Sequence, residues 1–158
     1  MKAVQISRTG EPDVLEYVDV PTPTPGPGEV LVKVTAVGVC GSDVLYYQHG
    51  RIGDFVVDSP MILGHESAGV IVGVGDGVQK ARVGQRVSVE PGVPDLTCPE
   101  CLIGRYNLRP NMRFFATTPI DGSLAEFVTV NEAFAHPLPE TRRADSAGPR
   151  AGVLVPGM

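Results

Sequence analysis

Lys2 to Ser7 alternates polar and apolar side chains, the period-2 pattern of a half-buried strand. Val14 to Val20 predicts a second strand after the turn material Gly10-Glu11-Pro12-Asp13. The run Pro21-Thr22-Pro23-Thr24-Pro25-Gly26-Pro27-Gly28 holds four prolines, which lock φ and carry no amide donor, so it reads as an extended connector. Glu29 to Val39 (EVLVKVTAVGV) alternates at first and is then wholly apolar, and it ends directly on Cys40-Gly41. A strand there would present a side chain at its end. Ser42 before Asp43-Val44-Leu45-Tyr46-Tyr47 predicts a short helix, with Ser42 accepting from an exposed amide at its start and Gly50 closing it. Arg51 to Pro60 reads as a loop. Ser67 to Val74, Arg86 to Glu90, Leu124 to Val130 and Ala133 to His136 read as further strands. Residues 91 to 118 show no strand pattern and only a helical turn at Pro99 to Gly104; so long a loop inside a domain is usually functional. From Thr141 neither period survives, and 141–158 reads as an irregular tail. Roughly seven short strands, one or two short helices and no helix–strand alternation predict a mainly β barrel or sandwich.

Composition narrows the function classes. At 158 residues the chain has room for one ordinary domain and a tail, and 42% hydrophobic content supplies a core. The formal charge is −5, and no like-charge run exceeds Arg142-Arg143, so no nucleic-acid footprint is offered. No run of eighteen apolar residues predicts a membrane span, and the start lacks a basic end followed by an apolar stretch, so a cytoplasmic location is expected. Three cysteines, Cys40, Cys98 and Cys101, are an odd number in a chain of that kind. Disulfides are not expected there, which leaves metal or reactive-thiol chemistry.

Cys40 at a strand end and Gly64-His65-Glu66 before the next apolar run together offer a thiolate, an imidazole and a carboxylate, each beside a glycine that lets backbone approach closely. Three such ligands plus water fit an open zinc site. With His65 25 positions after Cys40, spacing alone is equally served by a core cysteine, a satisfied histidine and a solvated glutamate. Gly73-Val74-Gly75-Asp76-Gly77 invites a dinucleotide reading, but Val78 to Val87 holds turn signals and no amphipathic helix to receive a pyrophosphate, so a glycine-rich hairpin is expected.

The longer strings carry more. Gly38-Val39-Cys40-Gly41-Ser42-Asp43, then Leu63-Gly64-His65-Glu66, then Val83-Gly84-Gln85-Arg86-Val87, then Cys98-Pro99-Glu100-Cys101-Leu102-Ile103-Gly104 resemble, in order and spacing, the zinc-dependent medium-chain alcohol and polyol dehydrogenases. His49-Gly50-Arg51-Ile52-Gly53, Glu90-Pro91-Gly92 and Phe114-Phe115-Ala116-Thr117 look most like the sorbitol and xylitol dehydrogenase branch. The likeness covers about residues 1–140 and implies a GroES-like, partly open β barrel, the catalytic domain of that family. It implies Cys40, His65 and Glu66 as zinc ligands and Ser42 as the hydroxyl that passes the substrate proton outward. Tyr46, Phe115 and Thr117 match the substrate pocket, although Tyr46 and Phe115 serve equally as core aromatics. The implied reaction is zinc-assisted hydride transfer from a small polyol or secondary alcohol to NAD or NADP, in an enzyme expected to be a homo-oligomer.

The chain also departs from its relatives. Many of them hold a second, structural zinc on four cysteines; the matching positions here are Asp95, Cys98, Cys101 and Arg109, and a permanent cation cannot ligate, so no structural zinc is expected. Leu45 stands where many relatives carry a histidine. No Rossmann domain and no match to the family's Glu-Pro pair is read in Thr141 to Met158. Shifted one base forward, the codons of Gly148-Pro149-Arg150-Ala151-Gly152-Val153 permit Ala-Leu-Glu-Pro-Val-Ser, close to the relatives, so the tail is expected to be out of frame. Three expectations follow: a truncated catalytic domain, inactive alone, and an apolar bare surface around its cleft. The competing class is a non-enzymatic zinc-binding or interaction module built on the same barrel.

Overall fold

In the computed structural model, residues 1–58, 60–93, 97–105, 108 and 113–139 are described. Position 59, positions 94–96, 106–107 and 109–112, and the stretch from 140 onward lie outside them. The tail expected at 141–158, and Asp95 and Arg109, therefore fall outside the described residues.

The alternating runs become strands. In chain order these are β1 (Lys2–Ile6), β2 (Leu15–Asp19), β3 (Glu29–Gly38), helix α1 (Gly41–His49), β4 (Arg51–Ile52), β5 (Phe55–Val56), β6 (Met61–Ile62) and β7 (Glu66–Val74). They continue as β8 (Arg86–Val89), β9 (Gly92–Val93), helix α2 (Pro99–Leu102), β10 (Arg113–Phe114), β11 (Phe127–Asn131) and β12 (Ala135–Pro137). An antiparallel five-stranded sheet runs β11-β3-β7-β8-β12, and a three-stranded sheet runs β2-β1-β6. The mainly β architecture with short helices expected from the pattern is the one found.

Two features curl the large sheet. The β3–β7 pairing shifts register between Leu31 and Val32 and again between Val34 and Ala36, and each bulge bends and twists its strand. The segment before β11 then stitches the sheets together: Leu124 accepts from the Val4 amide and donates to Leu63, while Glu126 donates to Lys2 and accepts from Val34. Those bonds explain why the strand expected from Leu124 begins only at Phe127. One apolar cluster, including Val30, Val32, Ile71, Val87 and Phe134, fills the inside of the large sheet. A second, on Ile6, Val14, Tyr46, Met61 and Leu63, lies under the smaller one.

Other local expectations are corrected. The loop at 51–60 contains the β4–β5 pair, turned by Gly53 at φ 57°. Residues 91–118 contain β9 and β10, paired at Gly92 and Phe114, and Met61–Ile62 pairs with β1. These two-residue strands are too short to show a period, so only long-range pairing reveals them. The glycine-rich segment after β7 turns into antiparallel β8, the hairpin expected. No described helix is long and apolar enough to cross a membrane.

One turn is held by charge. Before β8, the amides of Gln79, Lys80 and Ala81 donate to the Glu132 carboxylate at 2.7 to 3.2 Å. Those bonds, led by Lys80, hold the Glu132 carboxyl below its ordinary value of 4.5. A group depressed on folding contributes stability above its unfolded value and loses it as pH falls through the folded one. Glu132→Gln is therefore expected to lower the unfolding midpoint at pH 7 and to match the parent once the pH is well below 4.5, as urea titrations at both pH values would record. An equal deficit at both would contradict the charged acceptor.

Candidate metal centre

Strand pairing brings the chemistry together. Gly38, the last residue of β3, pairs with Glu66, the first of β7. Cys40 lies two residues beyond that end and His65 one residue before that start, so neighbouring strands deliver all three side chains to one rim. A sulfur of Cys40, a ring nitrogen of His65 and a carboxylate oxygen of Glu66 lie within 4.8 Å of one another, the single such group of three found among the described residues. His65 is buried, and the other two are half-buried. Zinc bonds of about 2.0–2.3 Å require donors roughly 3.3–3.8 Å apart in a tetrahedron, so small side-chain rotations close this set around an ion. Thiolate, imidazole and carboxylate are also the donor types zinc takes. The residues fit the metal.

Two glycines make room for the approach. Gly64 has φ 86°, a left-handed conformation, and a Cβ there would lie 2.7 Å from Leu124 Cγ and 3.0 Å from the Leu124 amide. A Cβ on Gly38 would lie 2.6 Å from Glu66 Oε2 and 3.2 Å from Glu66 Cβ, displacing a ligand. Gly38→Ala is accordingly expected to weaken zinc binding about 10-fold, the lower end of what misplacing a ligand costs. Competition against a chromophoric chelator measures it, and unchanged affinity would show that the carboxylate is not bound.

Asp43 ties the two candidate ligand segments to each other. It is 2% exposed; its Oδ2 accepts from the Cys40 amide at 2.8 Å and its Oδ1 from the Gly64 amide at 2.9 Å. The same Oδ1 lies 3.9 Å from His65 Nδ1, beyond hydrogen-bond reach but directed at the ring. Here the expected helix start is corrected. Cys40, with extended φ −90° and ψ 158°, is the cap of α1, Asp43 is its third residue, and Ser42 sits inside the first turn. Gly50 closes the helix as expected, at φ 69°. A carboxylate three residues after a cap is the visible signature of a box that returns to the cap amide, and that signal could have singled out Asp43.

A cavity of about 240 Å³ adjoins His65, lined also by Ser42, Tyr46, Phe114, Phe115 and Thr117. All four residues assigned to proton passage and pocket thus meet at one hollow. Tyr46 and Phe115 do double duty, since each also belongs to an apolar cluster and is about 5% exposed (4% and 6%). Phe114, to which the strings assigned no role, packs on His65 with ring centroids 5.5 Å apart. Ser42 lines this cavity, and its buried Oγ meets no hydrogen-bond partner among the described residues. A larger hollow of about 410 Å³, near Gln5, Val20 and Thr129, contains none of the three metal donors. Val39, next to Cys40, and Phe55, on the cavity wall, are 71% and 48% exposed.

Comparison with known proteins gives this arrangement its family. Residues 26–140 match the model of the alcohol dehydrogenase GroES-like domain. The chain belongs to that family. The GroES-like domain here is 49% identical over 140 residues to D-xylulose reductase of Morganella morganii, covering 89% of the chain and 41% of the relative. It is 53% identical over 129 residues to sorbitol dehydrogenase of Bos taurus, covering 82% and 36%. Among solved structures it superposes on the cobalt- and zinc-bound thermostable alcohol dehydrogenase of Pyrobaculum aerophilum with a TM-score of 0.79 at 29% identity, covering 98% of the chain and 44% of that protein. The GroES-like domain thus spans about two fifths of the length of the relatives it matches.

Proposed function

We propose that this domain is the zinc-binding, substrate-holding part of a dehydrogenase that oxidises a secondary hydroxyl of a small polyol, with NAD or NADP as hydride acceptor. The observation that carries the reading is the convergence of Cys40, His65 and Glu66 donors within 4.8 Å, with His65 and Ser42 lining one cavity. The similarity to D-xylulose reductase and sorbitol dehydrogenase supports the polyol class.

Zinc, when bound by Cys40, His65 and Glu66, supplies the Lewis acidity that favours loss of a hydroxyl proton. Everything else falls to the chain. Ser42 Oγ accepts that proton's hydrogen bond at the cavity wall and passes it outward. Phe114 and Phe115 exclude water from the reacting carbon, and Tyr46 and Thr117 shape the opposite wall. Asp43 holds the Cys40 and Gly64 backbones so that only side-chain rotation is left to bring the donors together. At about 240 Å³ the cavity is below the roughly 300–1,000 Å³ of drug-sized sites, which suits a short carbon chain. We assign one zinc per chain, to this centre, because Arg109 in the series Asp95, Cys98, Cys101 and Arg109 opposes a second ion.

Cobalt substitution tests the polyol reading without requiring turnover. Adding xylitol or sorbitol to the cobalt-loaded chain is expected to shift its visible d–d bands, and a monofunctional alcohol of similar size should shift them less. Bands that form on metal loading but ignore every polyol would leave the metal centre standing and overturn the substrate class.

A further inference from the structure

Two cysteines take no part in the metal centre, and the fold places them together. Cys98 precedes α2, its sulfur accepts the Cys101 amide at 3.3 Å, and the two sulfurs are 3.1 Å apart. Main-chain bonds set this geometry: Leu102 donates to Cys98 at 3.0 Å, Ile103 to Pro99 at 3.3 Å and Arg105 to Glu100 at 2.8 Å. Both thiols are half-buried, and the neighbouring Leu102 and Ile103 are 73% and 62% exposed, so a small reagent reaches the pair. A disulfide needs its sulfurs about 2.05 Å apart, so closing the pair takes roughly 1 Å of motion, within reach of side-chain rotation with α2 in place.

We propose that Cys98 and Cys101 form a dithiol–disulfide site, oxidised by low-molecular-weight disulfides while the metal centre stays reduced. In the first step one thiolate of the pair attacks a glutathione disulfide, forming a protein–glutathione bond and releasing one glutathione thiol. The second cysteine then attacks that mixed disulfide, closing the Cys98–Cys101 bond and releasing the second thiol. Two protein thiols are oxidised and one glutathione disulfide is reduced to two thiols, so electrons and protons balance. Cys40 has no second sulfur beside it and belongs to a group whose other members are His65 and Glu66, so the resolving step is closed to it. The pair also lies on a different stretch of chain from the metal donors, in the excursion between β9 and β10, whose base is pinned by the Gly92–Phe114 pairing.

The test exposes the zinc-loaded chain to glutathione disulfide, traps remaining thiols with N-ethylmaleimide and reads intact mass and a peptide map. Reactive thiols in the denatured, metal-stripped protein should fall from three per chain to one, with loss of two hydrogens, no stable glutathione adduct, a Cys98–Cys101 link in the map, and reversal by reduced glutathione. Cys98→Ser and Cys101→Ser should each stop at one bound glutathione, with zinc content unchanged before and after. Stable adducts on the parent chain, a link that includes Cys40, or no oxidation would each overturn the proposal. Release of a second zinc on oxidation would overturn it too, by making the pair part of a metal site.

Discussion

Cys40→Ala is expected to lower zinc affinity by roughly 10²–10³-fold, taking one bound zinc per chain to none after dialysis against a mild chelator. An ion held with about 10–16 kcal/mol in all loses roughly 3–4 kcal/mol with one of its few protein donors, and each 1.4 kcal/mol is tenfold. The thiolate is the softest of the three donors, and a water in its place would not neutralise the charge of the ion. The fold should tolerate the change, because two bonds of the α1 cap survive loss of the sulfur: the Cys40 amide still donates to Asp43 Oδ2 and the Cys40 carbonyl still accepts from the Asp43 amide. Metal analysis and chelator competition give the affinity, and urea unfolding in excess chelator should give the same midpoint for both proteins. Equal zinc content in parent and variant would remove Cys40 from the site and with it the proposed centre.

Asp43→Ala should be the most damaging single change to the fold. It strips the partner from two amides, those of Cys40 and Gly64, in a pocket where Asp43 itself is 2% exposed. Leaving each donor unsatisfied costs about 1–3 kcal/mol, so a loss of roughly 2–6 kcal/mol is expected, against a total stability of about 5–15 kcal/mol for an ordinary domain. Asp43→Asn keeps the shape and one acceptor oxygen and should lose about half as much. Urea unfolding monitors the fold. Zinc binding of whatever remains folded should fall in both variants, because the Cys40 and His65 segments are no longer tied. If Asp43→Ala unfolds at the parent's midpoint, the two hydrogen bonds do not carry the junction.

Much of this architecture could be read from the chain. Alternating and short apolar runs located β1, β2, β3, β7 and β8 within a residue or two, and Gly50 marked the end of α1. The failures share a cause. Met61–Ile62, Gly92–Val93 and Arg113–Phe114 are strands only because distant backbone pairs with them, and two residues show no period. Ser42 looked like a cap because it carries a hydroxyl before an apolar turn; the cap fell to Cys40 because Asp43, three residues on, returns its carboxylate to the Cys40 amide. Phe114 was part of a legible string, yet its place on the His65 ring depends on a β9–β10 pairing that closes a long excursion.

The sequence by itself determined which donors exist and what surrounds them: one thiol at the end of an apolar strand, one imidazole and carboxylate after a glycine, and a family likeness strong enough to name their chemistry. Only the tertiary structure decided that these donors meet. Their convergence depends on the β3–β7 register that sets Gly38 opposite Glu66, and on one buried carboxylate bonded to both ligand segments. It also decided that Cys98 and Cys101, a spacing open to metal or redox use, stand sulfur to sulfur on a short helix. The reason is general: residue identity is local and written in one dimension, whereas a coordination sphere is a set of distances that only pairing between remote strands can impose.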